Sequence, residues 1–263
     1  MLWEERLSYM NKPTFLIYEK PLLCAMIQCP TPDECIEKIR RSIAGGADAL
    51  GVQLCKLEKQ YRTKSELRRI FAACEGKPIY VTSYRAGHSK DFTDEECADL
   101  LLMGIKCGAT LADVVGDMFD RGALYELSTD PFAIEKQKAL VSKIHAMGGE
   151  VLMSCHTGHA LSVEENLRIA KAQEERGADV LKIVDVAKHK SEIPSYVESI
   201  QKIVAATDKR LLLLVSGEGQ ILRYIGPNFG VCMYLCVESH GELDTKEQPT
   251  LAKIKAVRDN ILF

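Results

Sequence analysis

Short apolar runs alternate with amphipathic stretches along nearly the whole chain. The runs lie at 22–28 (LLCAMIQ), 48–54 (DALGVQL), 78–84 (PIYVTSY), 112–117 (ADVVGD), 150–156 (EVLMSCH), 179–184 (DVLKIV), 211–215 (LLLLV) and 230–237 (GVCMYLCV). Their length and β-branched content predict buried strands. Between them the apolar spacing changes to that of a helix at 32–44, 64–74, 93–106, 131–147, 162–176, 194–206, 218–225 and 249–260. The tripeptide Gly-Ala-Asp occurs twice where a helical stretch gives way to a strand, at Gly46-Ala47-Asp48 and Gly177-Ala178-Asp179. Both glycines fit helix ends. Strand and helix in strict alternation predict a parallel sheet, and eight units predict its closed form, the (β/α)8 TIM barrel. An additional strand, Thr14–Glu19, precedes the first unit and is expected to plug the bottom of the barrel. No linker or low-complexity tract divides residues 1–263, so a single domain is expected.

Composition narrows the function classes. A net charge of −3 gives no basic surface for nucleic acid or membrane, and 46% hydrophobic content supports a large core. No apolar run approaches the roughly 20 residues of a spanning helix. The first twenty residues, with Glu4, Glu5 and Glu19, lack a secretory pattern. Ten cysteines without a C-x-x-C pair read as reduced, buried thiols of a cytoplasmic protein.

In barrels of this kind the chemistry sits at the C-terminal ends of the strands. Gln53, Arg85, Asp117, His156 and Lys182 fall there. Lys182 has apolar neighbours on both sides; a buried lysine loses its charge more readily, and a neutral amine attacks a carbonyl. His156, ending the preceding strand, is the natural proton shuttle. Side-chain alternation places Lys182, Val180 and Val184 inward, and likewise His156, Ser154 and Leu152. It places Gly51, Gln53 and Cys55 inward on the second strand. On the third it sets Arg85 on one face with Ser83 and Val81, expected to be the inner one.

Other chemistries remain open. Ser216-Gly-Glu-Gly219 resembles a phosphate-cradling loop. Cys155, His156 and His159, with Asp117, Glu238 and His240, offer metal-ligand types, although alternation separates Cys155 from His156.

Several of these segments resemble type I 3-dehydroquinate dehydratase, a Schiff-base-forming barrel enzyme of the shikimate pathway. Ser154-Cys155-His156 resembles the family's Ser-x-His strand end, and Gly177-Ala-Asp-Val-Leu-Lys182 its Gly-Ala-Asp-x-x-Lys strand. Ser83-Tyr84-Arg85 resembles its Thr-x-Arg. Gly219-Gln-Ile-Leu-Arg223, followed by Phe229-Gly230, resembles its Gly-x-x-x-Arg and Phe-Gly. The resemblance implies a lyase acting on 3-dehydroquinate or a related cyclic hydroxy-ketone. In it Lys182 forms the imine, His156 is the acid–base group, and Arg85, Arg223 and Gln53 bind the substrate. It implies no cofactor and no metal, a cytoplasmic setting and a homodimer.

The chain also departs from the family pattern. Gly51-Val52-Gln53-Leu54-Cys55 stands where the family carries Glu-x-Arg-x-Asp. The family glutamate that orients the histidine falls near Ser89, beside His88. Its Ala-Pro-Gly-Gln lid falls at Glu247-Gln248-Pro249-Thr250 without a clean match. Weak or absent turnover of 3-dehydroquinate, and a related reaction on a different ring, are the corresponding expectations. Another lysine-imine aldolase, a metal-dependent barrel enzyme, and a barrel that only binds a ligand remain as alternatives.

Overall fold

The computed structural model describes residues 13–261. Eight parallel strands form one sheet in the order β7-β6-β5-β4-β3-β2-β1-β8. They are β1 (Leu22–Ile27), β2 (Ala49–Gln53), β3 (Ile79–Thr82), β4 (Leu111–Val115), β5 (Glu150–His156), β6 (Val180–Ala187), β7 (Arg210–Gly217) and β8 (Met233–Cys236). A single parallel bridge, Leu211 to Val231, joins β7 to the segment entering β8 and closes the barrel. The outer layer consists of α1 (Pro32–Ala44), α2 (Lys64–Ala72), α3 (Asp94–Lys106), α4 (Pro131–Ala146), α5 (Val163–Glu175), α6 (Ile193–Ala206), the short α7 (Leu222–Ile225) and α8 (Leu251–Asp259).

The helix starts follow from local chemistry. Thr31, Thr63, Thr93, Asp130 and Ser162 each accept a hydrogen bond from a first-turn backbone N–H, with complete capping boxes at Thr93–Glu96 and Ser162–Glu165. The Gly-Ala-Asp repeats work alike. Gly46 and Gly177 both take φ +93°, the left-handed turn that ends a helix. The aspartate that follows then accepts from the first amides of the neighbouring strand: Asp48 from Leu23, and Asp179 from Val151, each at 2.9 Å.

Two expectations change. The predicted helix over 218–225 shortens to Leu222–Ile225, because Gly217 (φ +65°) and Gly219 keep the chain in turns. Thr14–Glu19 forms no strand. It nevertheless closes the bottom of the barrel. Phe15 is fully buried edge-on against Tyr80, its amide and the Thr14 hydroxyl bind Glu150, and Arg210 donates to the Leu16 carbonyl. With Glu150 and Arg210 already occupying the strand starts, this segment meets side chains where a strand would need a free backbone edge.

Candidate active site

Strand register sets the depth of each side chain. Lys182 lies opposite Ser154, and His156 opposite Val184, so the histidine stands two residues nearer the C-terminal rim. Lys182 points into the barrel and is 4% exposed. Its Nζ donates to Tyr84 Oη at 2.7 Å, to Asp113 Oδ2 at 3.1 Å and to Tyr80 Oη at 3.2 Å. Asp113 in turn accepts from both tyrosine hydroxyls and, at Oδ1, from Ser154 Oγ at 2.5 Å. The apolar surround expected for Lys182 is therefore a closed polar cluster. Burial raises the Asp113 carboxyl, but the Lys182 charge and the Ser154, Tyr80 and Tyr84 hydroxyls outweigh it and hold the group below the usual range. A buried ion pair survives only with such complete hydrogen bonding.

His156 is met by a carboxylate from another loop. Glu126 Oε2 accepts from the His156 backbone N–H at 2.7 Å and lies 2.8 Å from Nδ1. A neutral imidazole donating from Nδ1 keeps its lone pair on Nε2, which has no partner among the described residues. The Tyr84 ring stands edge-on to His156, with centroids 5.3 Å apart. Tyr84 thus touches both the lysine and the histidine. A cavity of about 290 Å³, near the lower bound of the small-molecule range, opens beside His156 and Tyr84, lined also by Arg85, Asp94, Met118 and Glu126; Lys182 does not line it.

The Glu126 backbone is strained. Tyr125 (φ 61°) and Glu126 (φ 53°) are consecutive non-glycine residues in the left-handed region. The loop is held from several sides. Cys155 Sγ lies 3.2 Å from the Glu126 carbonyl, and Arg176 donates to the carbonyls of Gly116 and Ser128. Gly116 is required for this approach, since a Cβ there would lie 2.5 Å from the Glu126 carbonyl oxygen. Glu126, Asp113 and the two tyrosines were not singled out in the sequence. The signal available for Glu126 was an acidic residue in a connection over 116–130 far longer than the usual two to six residues.

Ser89, where the family's orienting glutamate falls, lies away from His156. Ser89 is buried and accepts from Arg62 Nη1 at 2.8 Å, bracing the loops after β2 and β3. The inward parity expected for Arg85, Ser83 and Val81 is also corrected. Tyr80 and Tyr84 occupy the inner face, while Val81 packs against Gly104 of α3. Arg85 consequently turns to Asp94, the first residue of α3, at 2.7 Å, and to Asp117. Burial lowers its guanidinium, and the two aspartates more than reverse that, so the net direction is upward.

Arg223 is different. It is 6% exposed, donating from Nε to the Val215 carbonyl at 3.0 Å and from Nη2 to Ser216 Oγ at 2.9 Å. No carboxylate stands within ion-pair distance among the described residues, and burial lowers the group to about 10. Gln53 ends β2 with a buried Oε1 that has no hydrogen-bond partner among the described residues. On the same strand a Cβ at Gly51 would lie 2.2 Å from Met26 Sδ and 3.1 Å from Tyr80 Cδ1. The space a strand-two glutamate would need is filled. Among the described residues no three His, Cys, Asp or Glu side chains form a metal-ligand cluster. Cys155 and His159 instead meet protein groups, Cys155 at the Glu126 carbonyl and Gln173, His159 at the Thr157 carbonyl. All ten cysteines are buried free thiols.

A (β/α)8 barrel with a buried lysine and a histidine–carboxylate pair on adjacent strands belongs to a recognisable class of barrel enzymes. The chain is a member of the type I 3-dehydroquinase family, whose profile matches residues 23–261. It is 24% identical over 247 residues to the 3-dehydroquinate dehydratase of Klebsiella pneumoniae, covering 90% of this chain and 92% of that one. Among solved structures it resembles the 3-dehydroquinate dehydratase of Geobacillus kaustophilus (TM-score 0.79, 15% identity, 94% of each chain). It also resembles the type I enzyme of Clostridium difficile bearing covalently modified comenic acid (TM-score 0.76, 17% identity, 92% of each chain). The family is one of dehydratases, carbon–oxygen lyases.

Proposed function

We propose that this protein dehydrates 3-dehydroquinate through an imine at Lys182. The observation that carries the reading is the placement of Lys182 and His156 on adjacent strands, both in contact with Tyr84. The Lys182 amine adds to the ring ketone and expels water, leaving an iminium. The iminium acidifies the neighbouring carbon because it accepts the electron pair left by the departing proton. His156 Nε2 removes that proton and returns one to the departing hydroxyl, and water then releases the conjugated product from the lysine. Arg223 binds the substrate carboxylate, supplying a guanidinium that forms no ion pair among the described residues, Glu247 acting on it only from a distance. Gln53 binds a ring hydroxyl through its unpaired Oε1. Arg85, committed to Asp94 and Asp117, is assigned to holding the β3 loop and not to the ligand. The protein acts as a cytoplasmic homodimer in this reading, without cofactor or metal; light scattering tests the dimer.

Borohydride reduction in the presence of 3-dehydroquinate, followed by intact-mass spectrometry, tests the chemistry. The wild type gains a ligand adduct and generates the ultraviolet absorbance of a conjugated enone. Lys182→Ala does neither. His156→Ala loses turnover by about 10²–10⁴-fold, the usual share of a positioned acid–base group, and still forms adduct slowly. An adduct on Lys182→Ala places the nucleophile elsewhere and defeats the proposal.

A further inference from the structure

We propose that Tyr84 is a catalytic residue of the imine step, carrying a proton between Asp113 and the oxygen that leaves the substrate ketone. The inference rests on the imine reading given above.

The resting Lys182 ammonium has three protons and three acceptors, Tyr80, Tyr84 and Asp113. No lone pair is available until one proton moves and one contact opens. Tyr80 and Asp113 are completely buried beneath the amine, whereas Tyr84 is half-buried and faces the rim. A ketone approaching Nζ from the C-terminal mouth passes the Tyr84 ring, whose hydroxyl lies 2.7 Å from the amine. His156 stands behind the edge of the same ring, against Tyr84 and Glu126. The phenol is the group best placed to serve the oxygen atom bonded to the carbon under attack.

The proton traffic closes on these groups. Lys182 gives one proton to the Asp113 carboxylate and attacks the carbonyl carbon; the N–C bond forms as the C=O π pair moves onto oxygen. Tyr84 Oη–H protonates that oxygen and is refilled from Asp113, which returns to carboxylate. The second proton of the departing water comes from the carbinolamine nitrogen, passed by the same hydroxyl. The C–O bond breaks, and the nitrogen lone pair forms the iminium. Two of the three ammonium protons leave as water, and no outside oxidant or base is consumed. Burial and the Asp113 carboxylate push the Tyr84 phenol well above its ordinary value, so it never stands as a free phenolate. It passes a proton on only as Asp113 refills it, along the hydrogen bonds it already makes, donating to Asp113 at 2.5 Å and accepting from Lys182.

Tyr80 supplies an internal control. Its hydroxyl binds the same lysine and aspartate, from the floor of the site. If tyrosine hydroxyls only hold Lys182 in place, removing either one has a similar effect. Rapid-quench borohydride trapping with 3-dehydroquinate measures imine formation separately from turnover. Tyr84→Phe is expected to slow trapping by about 10²–10⁴-fold, the range for a positioned proton donor, while Tyr80→Phe changes it only a few-fold. Tyr84→His, which restores a titratable proton at that position, recovers part of the rate and covers the case of a poorly folded phenylalanine variant. Trapping on Tyr84→Phe at the wild-type rate, or equal losses for both phenylalanine variants, overturns the assignment. A wild type that forms no adduct defeats the imine reading, and this inference with it. A wild type that forms adduct while Tyr84→Phe does so equally fast defeats the role of Tyr84 alone.

Discussion

Glu126 holds His156 twice through one oxygen, at the backbone N–H (2.7 Å) and at Nδ1 (2.8 Å). The double contact fixes both ring orientation and tautomer, leaving Nε2 as the base. It also places a negative charge beside the imidazole, which stabilises the imidazolium formed when a proton is taken up. Glu126→Gln retains hydrogen-bonding atoms but loses that charge. Turnover is expected to fall at least ~10-fold with KM nearly unchanged, because the interaction acts on the transition state more than on substrate binding. Glu126→Ala falls further. Both variants keep borohydride-trappable adduct, because the nucleophile is intact. A rise in KM at constant kcat would show that Glu126 contacts the substrate instead.

We assign the two arginines expected at the substrate to different roles. Arg85 is consumed by Asp94 and Asp117, whose side chains are 9% and 4% exposed. Arg85→Ala takes the shared cation from two nearly buried carboxylates, leaving Asp94 with the Phe119 N–H and Arg121 at 3.6 Å and Asp117 with the Gly122 N–H. It is expected to cost up to about 3 kcal/mol of folding stability, as for a broken buried pair. Its KM changes little. Arg223→Lys removes the planar fork from a buried site and is expected to raise KM at least ~10-fold, a loss of about 1.4 kcal/mol. Urea denaturation and steady-state kinetics on both variants separate the effects. An intact fold with a strongly raised KM for Arg85→Ala would return that residue to the substrate.

The barrel was legible because each strand is a short apolar run and each helix carries its own cap, signals that are local in sequence. Lys182 and Ser154 were placed on the inner face by the same alternation, and their contacts with Asp113 follow it. Strand β3 was misread for a physical reason. Tyrosine satisfies an apolar pattern with its ring, yet the hydroxyls of Tyr80 and Tyr84 require polar partners, and those lie inside the barrel. Once the tyrosines turn inward, Arg85 starts from the opposite parity and reaches Asp94 and Asp117, while still lining the cavity beside His156. For Glu126 the sequence offers no more than an acidic residue in an overlong connection, since its approach to His156 depends on a folded loop and on the missing side chain at Gly116. Asp113 likewise acquires its meaning only from groups on β3, β5 and β6.

Strand β2 shows why the family's acidic residue is not restored by a single change. Even a methyl group at position 51 meets Met26 Sδ at 2.2 Å. Gly51→Ala is expected to destabilise the protein by about 1–3 kcal/mol, the cost of overpacking a filled core. Gly51→Glu adds the burial of a charge beside the Lys182 cluster and should be worse. Pairing Gly51→Ala with Met26→Ala makes room, so the double variant should be more stable than the two separate losses predict. Thermal unfolding of the four proteins in this cycle measures the coupling, and strict additivity would mean that Met26 does not limit the space.

The last prediction concerns Asp185, which the proposed chemistry does not use. Its side chain is fully buried, and Thr157 Oγ1 donates to Oδ1 at 2.7 Å. Burial raises its carboxyl to about 6 from 3.8, with the Thr157 hydrogen bond opposing the shift in part. A carboxyl with a raised native value binds a proton more readily in the folded than in the unfolded chain. Between about pH 4 and 6 the native state therefore holds more protons, and this group's contribution to stability falls as pH rises through that window. Above it, the ionised form costs about 3 kcal/mol at one pKa unit per 1.36 kcal/mol. Asp185→Asn retains an acceptor for Thr157 and removes the ionisation. The variant is expected to be more stable than wild type at pH 7.5 by up to that amount, with the difference shrinking as pH falls through 6 and levelling off below about 4. Urea denaturation of both proteins from pH 4 to 8 gives the comparison, in which groups common to both cancel. A difference that stays flat with pH, or grows on acidification, would show that Asp185 is held ionised by contacts stronger than its burial.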